Sequence, residues 1–401
     1  KVLSDYVKDN YPEGKADLCT AFMMMQARRT ARGGYYANIV PPSWMFLSTF
    51  EGLRRSIIED QTISSLLHLS RGVFGADFGS VSTVIQNCET KNAKGTYFRL
   101  IERTFQEFDQ KHLQMLFEKT LANHDFKFFF ADYTKDVTDI EYSENGAKIY
   151  YPNVGQENFE KIPGCPMGYW VSEKMIGIFD KVKQFDVYYD VKSGLSTGDN
   201  DYFVKCWYEV DSVKIFFLHS QDKDKRTGFK WFPYSKGGGV QKWYGNKTLV
   251  VNYEDDGREM RDMGLAVFRN PSYYFKEGLT WSGMSSTFVS YRYLEAGGIF
   301  DSNKGPMIFA KDDILSIFYA LGMLSTKVSN FITQLLNPTV STQIGDIISI
   351  PLVVDREKTE YVEKLAKRNV EISKLDWDSH ETSWDFEANP LVALRNEKVA
   401  Q

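Results

Sequence analysis

The hydrophobic pattern of this chain changes near residue 186, and this change constrains the fold more than any single motif. Before it, segments with apolar residues at helical spacing alternate with short apolar runs, which indicates helices and strands in an α/β layer. From residue 186 to about 309 the apolar runs are short and are interrupted by Gly, Asn, Asp and Lys, which is typical of a mostly β domain. The sequence therefore predicts two architectures in succession.

Capping residues and apolar runs predict the elements of the first segment. Asp17 is a candidate N-cap for a helix that runs to Arg29, and Gly33 is placed to stop it. The tetrapeptide Ser-Thr-Phe-Glu at 48–51 has the spacing of a capping box before another helix. The remaining predictions are strands at 35–40, 63–69 and 81–86, a long helix at 99–123, aromatic-rich strands between 126 and 151, and a helix from Ser172.

The pattern after residue 309 returns to helix. A helical segment is expected at 312–336, interrupted near Gly322 and Ser325 and stopped by the Asn-Pro pair at 337–338. An acidic helix at about 357–372 and an aromatic tail at 377–386 follow it. These helices are expected to close the β-rich domain.

Positive charge is concentrated in one stretch of an acidic chain. The 401 residues carry a formal net charge of -5, so any nucleic-acid surface must be local. Between Lys214 and Lys247, however, seven Lys and one Arg face two Asp, a net of +6. Aromatic residues, 15% of the chain, are interleaved with these lysines, and a triple glycine at 237–239 would let a backbone approach a ligand. The stretch is typical of a DNA-facing surface, and a half-exposed sheet with solvated lysines explains its composition equally well.

The cysteines and histidines indicate neither a metal site nor a redox pair. No two of the four Cys form a Cys-x-x-Cys pair, and no two of the five His are four residues apart. This usage is typical of a reduced, cytoplasmic protein without a structural metal. The longest uncharged apolar stretch, residues 314–326, is shorter than the roughly 20 residues that a membrane-spanning helix needs, so no membrane association is expected.

Two segments partly match known functional motifs. The loop at 194–201 is rich in turn formers but lacks the Lys-Ser/Thr pair and the following helix of a phosphate-binding loop, so we do not assign nucleotide binding to it. Asn270-Pro271-Ser272-Tyr273 is similar to the Asn-Pro-Pro-Tyr motif of adenine-N6 methyltransferases. It has Ser in place of the second Pro and no flanking helix, so we assign no catalytic residue in this chain.

Eight segments, taken together and in order, resemble the PglX-type adenine-specific DNA methyltransferases of the BREX phage-defence system. Each segment alone is weak, but jointly they cover nearly the whole chain. They are 3–7 (Leu-Ser-Asp-Tyr-Val) with 11–12 (Tyr-Pro), 43–47 (Ser-Trp-Met-Phe-Leu), 94–100 (Lys-Gly-Thr-Tyr-Phe-Arg-Leu), 196–200 (Ser-Thr-Gly-Asp-Asn), 230–234 (Lys-Trp-Phe-Pro-Tyr), 278–282 (Gly-Leu-Thr-Trp-Ser), 337–339 (Asn-Pro-Thr), and 376–378 (Asp-Trp-Asp) with 381–386 (Glu-Thr-Ser-Trp-Asp-Phe).

The resemblance implies the C-terminal part of a larger enzyme. In the family, the Asn-Pro-Pro-Tyr and S-adenosylmethionine motifs precede the Leu-Ser-Asp-Tyr segment, and neither occurs in this chain, which begins with Lys1. The implied domains are the end of a Rossmann-like methyltransferase domain at 1–165, a mostly β target-recognition domain with closing helices at 166–350, and a helical, acidic tail at 351–401. The implied reaction is methyl transfer from S-adenosylmethionine to adenine N6 of double-stranded DNA, which marks host DNA. The piece alone is expected to be inactive.

The resemblance also points to DNA-binding residues in the recognition domain, and other proteins of the BREX system are expected partners. Phosphate contacts are expected from Lys230, Lys236 and Lys242, and base-edge contacts from polar side chains on other loops. The full set of expected DNA-binding residues is Thr197, Asn200, Lys230, Trp231, Tyr234, Lys236, Lys242, Arg258, Arg261, Ser285, Ser286 and Arg292. Two alternatives remain open, namely a non-catalytic DNA-binding specificity module and part of a fused type II restriction-methylation enzyme.

Overall fold

The computed structural model describes residues 1–73, 79–90, 92–102, 107–285, 288–311 and 315–392. The chain divides into two compact units, Lys1–Val182 with Gln334–Thr339, and Lys183–Thr333 with Val340–Gln401. The main division lies within a few residues of the change in hydrophobic pattern. It groups residues 166–182 with the first unit and the segment after residue 350 with the second unit.

The first unit combines helices with one larger and one small sheet. Its helices are α1 (Val2–Asn10), α2 (Leu18–Arg29), α3 (Glu51–Asp60), α4 (Gln110–Ala122), α5 (Glu157–Glu160) and α6 (Glu173–Lys181). Its strands are β1 (Tyr35–Val40), β2 (Thr62–Leu69), β3 (Ser80–Gln86), β4 (Lys94–Arg99), β5 (Lys127–Phe128), β6 (Ala147–Lys148) and β7 (Tyr150–Gly155).

The larger sheet of this unit has the strand order β1-β3-β2-β4-β7. Only β2 and β4 run parallel, and the other neighbouring pairs are antiparallel. The coarse prediction of a mixed α/β fold is therefore confirmed. The continuation of this sheet into a Rossmann-like domain remains a prediction.

The observed helix starts agree with the predicted ones at Asp17 and Ser172, where a neighbouring side chain caps the helix. The carboxylate of Asp17 accepts a hydrogen bond from the Cys19 backbone N–H at 3.0 Å, and the Ser172 hydroxyl accepts one from Met175 N–H at 3.3 Å. The predicted capping box at 48–51 is wrong, because Ser48–Phe50 forms a 3-10 turn and α3 begins without a side-chain cap.

The long helix predicted at 99–123 is wrong in its first part. Residues up to Arg99 belong to β4, whose Tyr97 and Phe98 are buried and which pairs with β2. The helix begins only at Gln110, because the Asp109 carboxylate caps it by accepting a hydrogen bond from the Lys111 N–H at 2.9 Å. Of the predicted helix before Gln110, Arg99 belongs to β4, residues 100–102 and 107–109 are not helical, and residues 103–106 lie outside the described part of the chain.

A buried arginine ties together the core of the first unit. Arg54 is fully buried, and its guanidinium donates to the carbonyls of Trp44 at 2.7 Å, Leu47 at 2.8 Å and Gly164 at 2.7 Å. Burial lowers the pKa of Arg54 to about 10. The Arg54 side chain thus supplies the hydrogen bonds that three buried carbonyls, from two segments distant in the sequence, can no longer form with water.

The second unit is rich in short strands. Its strands are β8 (Tyr189–Lys192), β9 (Leu195–Ser196), β10 (Val204–Cys206), β11 (Trp231–Ser235), β12 (Leu249–Asn252), β13 (Val267–Phe268), β14 (Gly278–Trp281), β15 (Tyr291–Leu294), β16 (Ile299–Phe300) and β17 (Met307–Ala310). Its helices are α7 (Asn200–Phe203), α8 (Glu254–Met263), α9 (Ile317–Leu324), α10 (Lys327–Leu336), α11 (Ile344–Ile348) and α12 (Thr359–Asp378); the end of α10 falls in the first unit.

Two four-stranded sheets, ordered β10-β12-β11-β16 and β15-β14-β17-β8, form the body of this unit. Their shared core is largely aromatic and includes Phe203, Phe232, Tyr253 and Phe300. The mostly β prediction for residues 186–309 is confirmed, as is the interruption of the helices near Ser325. No described helix combines the length and apolarity that crossing a bilayer requires.

The C-terminal segment closes on the β-rich unit through an ionic network. The Lys247 ammonium lies 2.7 Å from Glu295, and both contact the Tyr244 hydroxyl. Lys374 of α12 reaches the same hydroxyl at 3.2 Å and binds Asp378 at 2.6 Å and Asp385 at 3.2 Å. Burial acts to raise the pKa of the Glu295 carboxyl, but Lys247 and Tyr244 outweigh it and hold that pKa below its ordinary value. The aromatic tail is thus fastened to the strands that precede it.

Candidate nucleic-acid interface

The basic stretch predicted from the sequence is divided in two by strand β11. Lys230 precedes the strand and Lys236 follows it. At about 3.3 Å per residue, their Cα atoms lie about 20 Å apart. The lysines therefore belong to opposite ends of one sheet.

At one end, residues 236–242 form a loop with close backbone contacts, here called the glycine loop. Gly237 and Gly238 have φ values of +82° and +116°, which residues other than glycine rarely adopt. A Cβ atom on Gly237 would lie 2.4 Å from the Lys304 carbonyl oxygen, and one on Gly238 would lie 2.8 Å from the Asn246 side chain. Gly237 and Gly238 of the triple glycine thus serve a close approach to the protein's own backbone and side chains, whereas a Cβ atom on Gly239 would meet nothing within 4 Å.

Arg292 lies beneath the glycine loop. It is 1% exposed, and its guanidinium donates to the carbonyls of Gly237 at 3.4 Å and Gln241 at 3.3 Å. It also donates to the Ser282 hydroxyl at 3.2 Å. Burial lowers the pKa of Arg292 to about 10. Although the sequence suggests that Arg292 reaches base edges, in this conformation it is enclosed and supports the loop.

Two further side chains satisfy the loop carbonyls. The Ser282 hydroxyl donates to the Gly238 carbonyl at 2.9 Å, and the Asn246 amide donates to the Gly239 carbonyl at 2.8 Å. Side chains from outside the loop therefore fix several successive peptide groups, which makes the loop a preorganised platform.

Three cations surround this platform. Lys242 and Lys304 are exposed, and Lys236 is half-buried. The Asp301 carboxylate shapes the turn that carries Lys304 by accepting that residue's N–H at 2.8 Å. In the described part of the chain, the lysines of the basic stretch that form ion pairs are Lys223 and Lys247. Among the described residues, none of the three cations at the loop forms an ion pair, a condition that favours an anionic partner.

The pKa of Lys236 is lowered, chiefly because partial burial disfavours its charged form. Asp301 opposes this change and Lys304 reinforces it. Sequence reasoning missed Lys304, which belongs to a separate segment. Its only local signal is the Asp-Ser-Asn-Lys-Gly turn at 301–305.

The aromatic residues at 231–234 and 243–244, which include the predicted Trp231 and Tyr234, are mostly in the core. Tyr234 is 3% exposed, and its hydroxyl donates to the Leu195 carbonyl and the Asp301 carboxylate, both at 3.0 Å. Phe232 and Tyr244 are also buried. Trp231 and Trp243 are half-buried, so they are the members of this group with rings near the surface.

The other predicted residues of the loops make local contacts. The Thr197 hydroxyl is buried and donates to the side-chain oxygen of Asn200 at 3.0 Å, at the start of α7. The Ser285 hydroxyl donates to the Phe288 carbonyl at 2.8 Å. Ser286 lies outside the described residues.

Arg258 and Arg261 lie on α8, at the other end of β11. The Tyr253 N–H donates to the Lys230 carbonyl at 2.9 Å and so joins the start of α8 to that end of the strand. Arg258 forms an exposed ion pair with Asp255 at 2.9 Å. Arg261 lies over the Phe268 ring, 3.8 Å from its centroid, and donates from Nε to the Asp256 carbonyl at 3.2 Å.

The tetrapeptide at 270–273 makes internal contacts. The Asn270 amide donates to the Ser193 carbonyl at 2.9 Å, and the Tyr273 hydroxyl donates to Asp190 at 2.8 Å. Both polar side chains are therefore engaged with β8 and the residue after it. We propose no catalytic role for them.

Comparison with solved structures gives low similarities. A nuclease-deletion mutant of the Type ISP restriction-modification enzyme LlaGI, in complex with a DNA substrate mimic, is 12% identical, with 88% of this chain and 36% of that chain covered and a TM-score of 0.48. The Type IIL restriction-modification enzyme MmeI, in complex with DNA, is 9% identical, with 92% and 45% covered and a TM-score of 0.48. These similarities are too low to support an argument about the site.

Sequence comparison gives a firmer result. Residues 1–74 match the family model of the Eco57I restriction-modification methylases. The adenine-specific methyltransferase BrxX of Escherichia coli O9:H4 (strain HS) is 32% identical over 97% of this chain and 29% of its own length. The adenine-specific methyltransferase PglX of Lacticaseibacillus casei (strain Zhang) is 32% identical over 98% of this chain and 31% of its own length. As its motifs predict, the chain is related along nearly all of its length to the PglX-type adenine-specific methyltransferases, and it spans less than a third of each of these two relatives.

Proposed function

We propose that this chain is the DNA-recognising C-terminal portion of a site-specific DNA methyltransferase that acts on adenine N6 in phage defence. The observation that carries the proposal is the 32% identity to two adenine-specific methyltransferases along nearly the whole chain. In this proposal S-adenosylmethionine donates the methyl group and is bound mainly by parts of the enzyme outside these 401 residues.

The glycine loop supports a DNA-binding role for the second unit. A chain with a net charge of -5 needs a local cationic surface to approach DNA. Lys236 and Lys242 of the glycine loop, with Lys304 of the adjacent turn, supply that surface, where they would contact phosphates and set the register of the protein on the duplex. Arg292 would act as a positioning residue beneath them.

Recognition and chemistry are linked through the target base. A methyltransferase must take its adenine out of the base stack, at a cost of a few kcal/mol. Contacts from the recognition unit would offset that cost. The match of residues 1–74 to a methylase model supports a catalytic role for the first unit, and so favours this proposal over a purely DNA-binding module.

Duplex DNA binding as a function of salt tests the role of the glycine loop. Each phosphate contact contributes about 0.9 to the slope of log K against log salt concentration, so the triple variant Lys236→Gln, Lys242→Gln, Lys304→Gln should lower the slope by up to about 2.7. The matched control is Lys364→Gln, Lys367→Gln, Arg368→Gln, which removes three exposed charges from α12. An equal loss of slope in both variants, or salt-independent binding by the unaltered chain, would count against the proposal.

Methyl transfer tests the fragment proposal. Incubation of the purified chain with DNA and labelled S-adenosylmethionine should give no incorporation. Turnover by the chain alone would show that its residues complete an active site, and the proposal that catalysis needs further parts of the enzyme would then be wrong.

A further inference from the structure

A pocket of about 420 Å³ opens at the end of β11 opposite the glycine loop. The segment before β11, helix α8 and the turn at 271–276 surround it. Four cationic side chains line it: Lys223, Arg226, Arg261 and Lys276. Its lining residues come from three separated segments of the sequence, 221–226, 253–261 and 271–276.

The positive charge of the pocket is largely uncompensated. Its one carboxylate, that of Asp256, lies 2.7 Å from the Lys223 ammonium and is paired with it. Among the residues that the structure describes, no carboxylate forms an ion pair with Arg226, Arg261 or Lys276. Three cations therefore face a cavity without a counter-ion from the protein.

Aromatic rings hold the two arginines in place. The Arg226 guanidinium carbon lies 3.7 Å from the centroid of the Phe275 ring, and that of Arg261 lies 3.8 Å from the centroid of the Phe268 ring. Stacking fixes the plane of a guanidinium while leaving most of its N–H groups free. Such planar donors match the paired oxygens of a phosphate.

The backbone around the pocket is strained. Four of the nine described non-glycine residues with positive φ lie at or beside it: Asp255 (+49°), Asp256 (+58°), Asn270 (+48°) and Phe275 (+67°). Such conformations are costly and concentrate at ligand clamps and other functional sites. In the pocket wall, Tyr274 is 4% exposed and its hydroxyl has no hydrogen-bond partner. Charge, stacking and strain thus occur together at one place.

We infer that this pocket binds a phosphate of the DNA backbone, as a second anchor beside the glycine loop. The inference rests on the proposed function, because it takes duplex DNA as the partner. The two anchors lie at opposite ends of β11, whose flanking residues Lys230 and Lys236 are about 20 Å apart along the strand. Arg226 and Arg261 grip the phosphate, and Lys276 adds charge at the rim. Two separated anchors would fix both the position and the direction of the protein along the duplex.

The test compares two charge-matched double variants of the full chain in duplex binding at several salt concentrations. Arg226→Gln with Arg261→Gln removes the two stacked arginines. Lys327→Gln with Arg356→Gln removes two exposed charges of the second unit that lie outside both the pocket and the basic stretch. Loss of one phosphate contact should lower the slope of log K against log salt by about 0.9 and weaken binding roughly 8-fold at 0.1 M salt. The control variant should change the slope by less than a third of that amount.

Other results would overturn the inference. If the unaltered chain binds DNA with a salt-dependent affinity and the pocket variant keeps the same slope, the pocket is not an anchor, although the proposed function stands. If the unaltered chain shows no salt-dependent binding, both proposals fail. If calorimetry shows that the pocket variant loses binding of inorganic pyrophosphate but keeps its DNA slope, the pocket serves a free anion instead.

A second variant keeps the inference testable if the first one misfolds. If the double arginine variant fails to fold because its stacking is structural, Lys276→Gln alters an exposed rim residue and should lower the slope in the same direction. An unchanged slope in Lys276→Gln, together with misfolding of the arginine variant, would contradict the inference.

Discussion

Substitution of Arg292 by Met separates a positioning residue from one that contacts DNA. Methionine matches the length of the buried stem but cannot donate a hydrogen bond. The change leaves the Gly237 and Gln241 carbonyls without their side-chain donor. An orphaned buried acceptor costs about 1–3 kcal/mol. The two bonds are long, 3.4 and 3.3 Å, and removing a buried guanidinium recovers part of its desolvation cost, so we expect a net loss of about 2 kcal/mol of unfolding free energy.

The same substitution should weaken DNA binding in a distinctive way. A loop that must be ordered again on binding costs about 1 kcal/mol or more for each residue fixed. Two such residues reduce affinity about 30-fold, since 1.4 kcal/mol is a factor of ten. The slope of log K against log salt should stay unchanged, because Lys236, Lys242 and Lys304 are all retained.

The assays are urea unfolding followed by tryptophan fluorescence, and fluorescence anisotropy of labelled duplex at three or more salt concentrations. Arg292→Lys serves as a second variant, because it keeps the charge but lacks the planar fork and should not restore the loop. A slope lowered by about 0.9 with unchanged stability would show that Arg292 contacts a phosphate directly, and the positioning argument would be refuted. Unchanged affinity would remove the glycine loop from the proposed interface.

Three further predictions concern stability. Arg54→Leu leaves three buried carbonyls without a donor and should destabilise the first unit by about 3–6 kcal/mol in urea unfolding. The control Arg55→Leu breaks one exposed ion pair and should cost less than about 1 kcal/mol. Similar losses in the two variants would contradict the role assigned to Arg54. Burial lowers the pKa of His68 to about 3, so the unfolded chain binds a proton that the folded chain does not between pH 6.5 and 3, and stability should fall as the pH falls through this range. His68→Phe should reduce that dependence by up to about 1.4 kcal/mol per pH unit in unfolding measurements at pH 6, 5 and 4, and an unreduced dependence would contradict the assignment. Lys374→Met removes the cation that Asp378 and Asp385 share and should make residues 377–386 more sensitive to limited proteolysis. The control Lys364→Met should leave this sensitivity unchanged. Equal sensitivity of the two variants would show that the ionic network does not hold the aromatic tail.

The two proposed anchors change how the charge of the basic stretch is interpreted. Its +6 suggests one continuous surface when it is counted along the sequence. In the fold, β11 separates its cations, and residues from other segments join each group. Lys304 joins the glycine loop, and Arg261 and Lys276 join the pocket. Each group therefore has partners that the local sequence does not contain.

Features encoded by a few neighbouring residues could be predicted from the sequence. The predicted cap at Asp17 and the predicted helix start at Ser172 are correct, because a cap is a hydrogen bond to a backbone N–H two or three residues away. The β-rich character of residues 186–309 and the relationship to adenine-specific methyltransferases also follow from composition, pattern and motifs. Each of these depends on local chemistry or on sequence similarity, neither of which requires knowledge of the tertiary contacts.

Features that depend on distant pairing required the tertiary structure. β4 includes Arg99, the first residue of the predicted helix, because its pairing with β2 extends to that residue, and Tyr234 faces the core because Leu195 and Asp301 accept its hydroxyl hydrogen bond. Arg292 resembles a DNA-contacting arginine in the sequence, yet the glycine loop covers it. The sequence alone determined the residue types, the cap at Asp17 and the similarity to adenine-specific methyltransferases. Only the tertiary structure decided which cations are free, which are buried and which lie together, because burial and ion pairing depend on segments far apart in the chain.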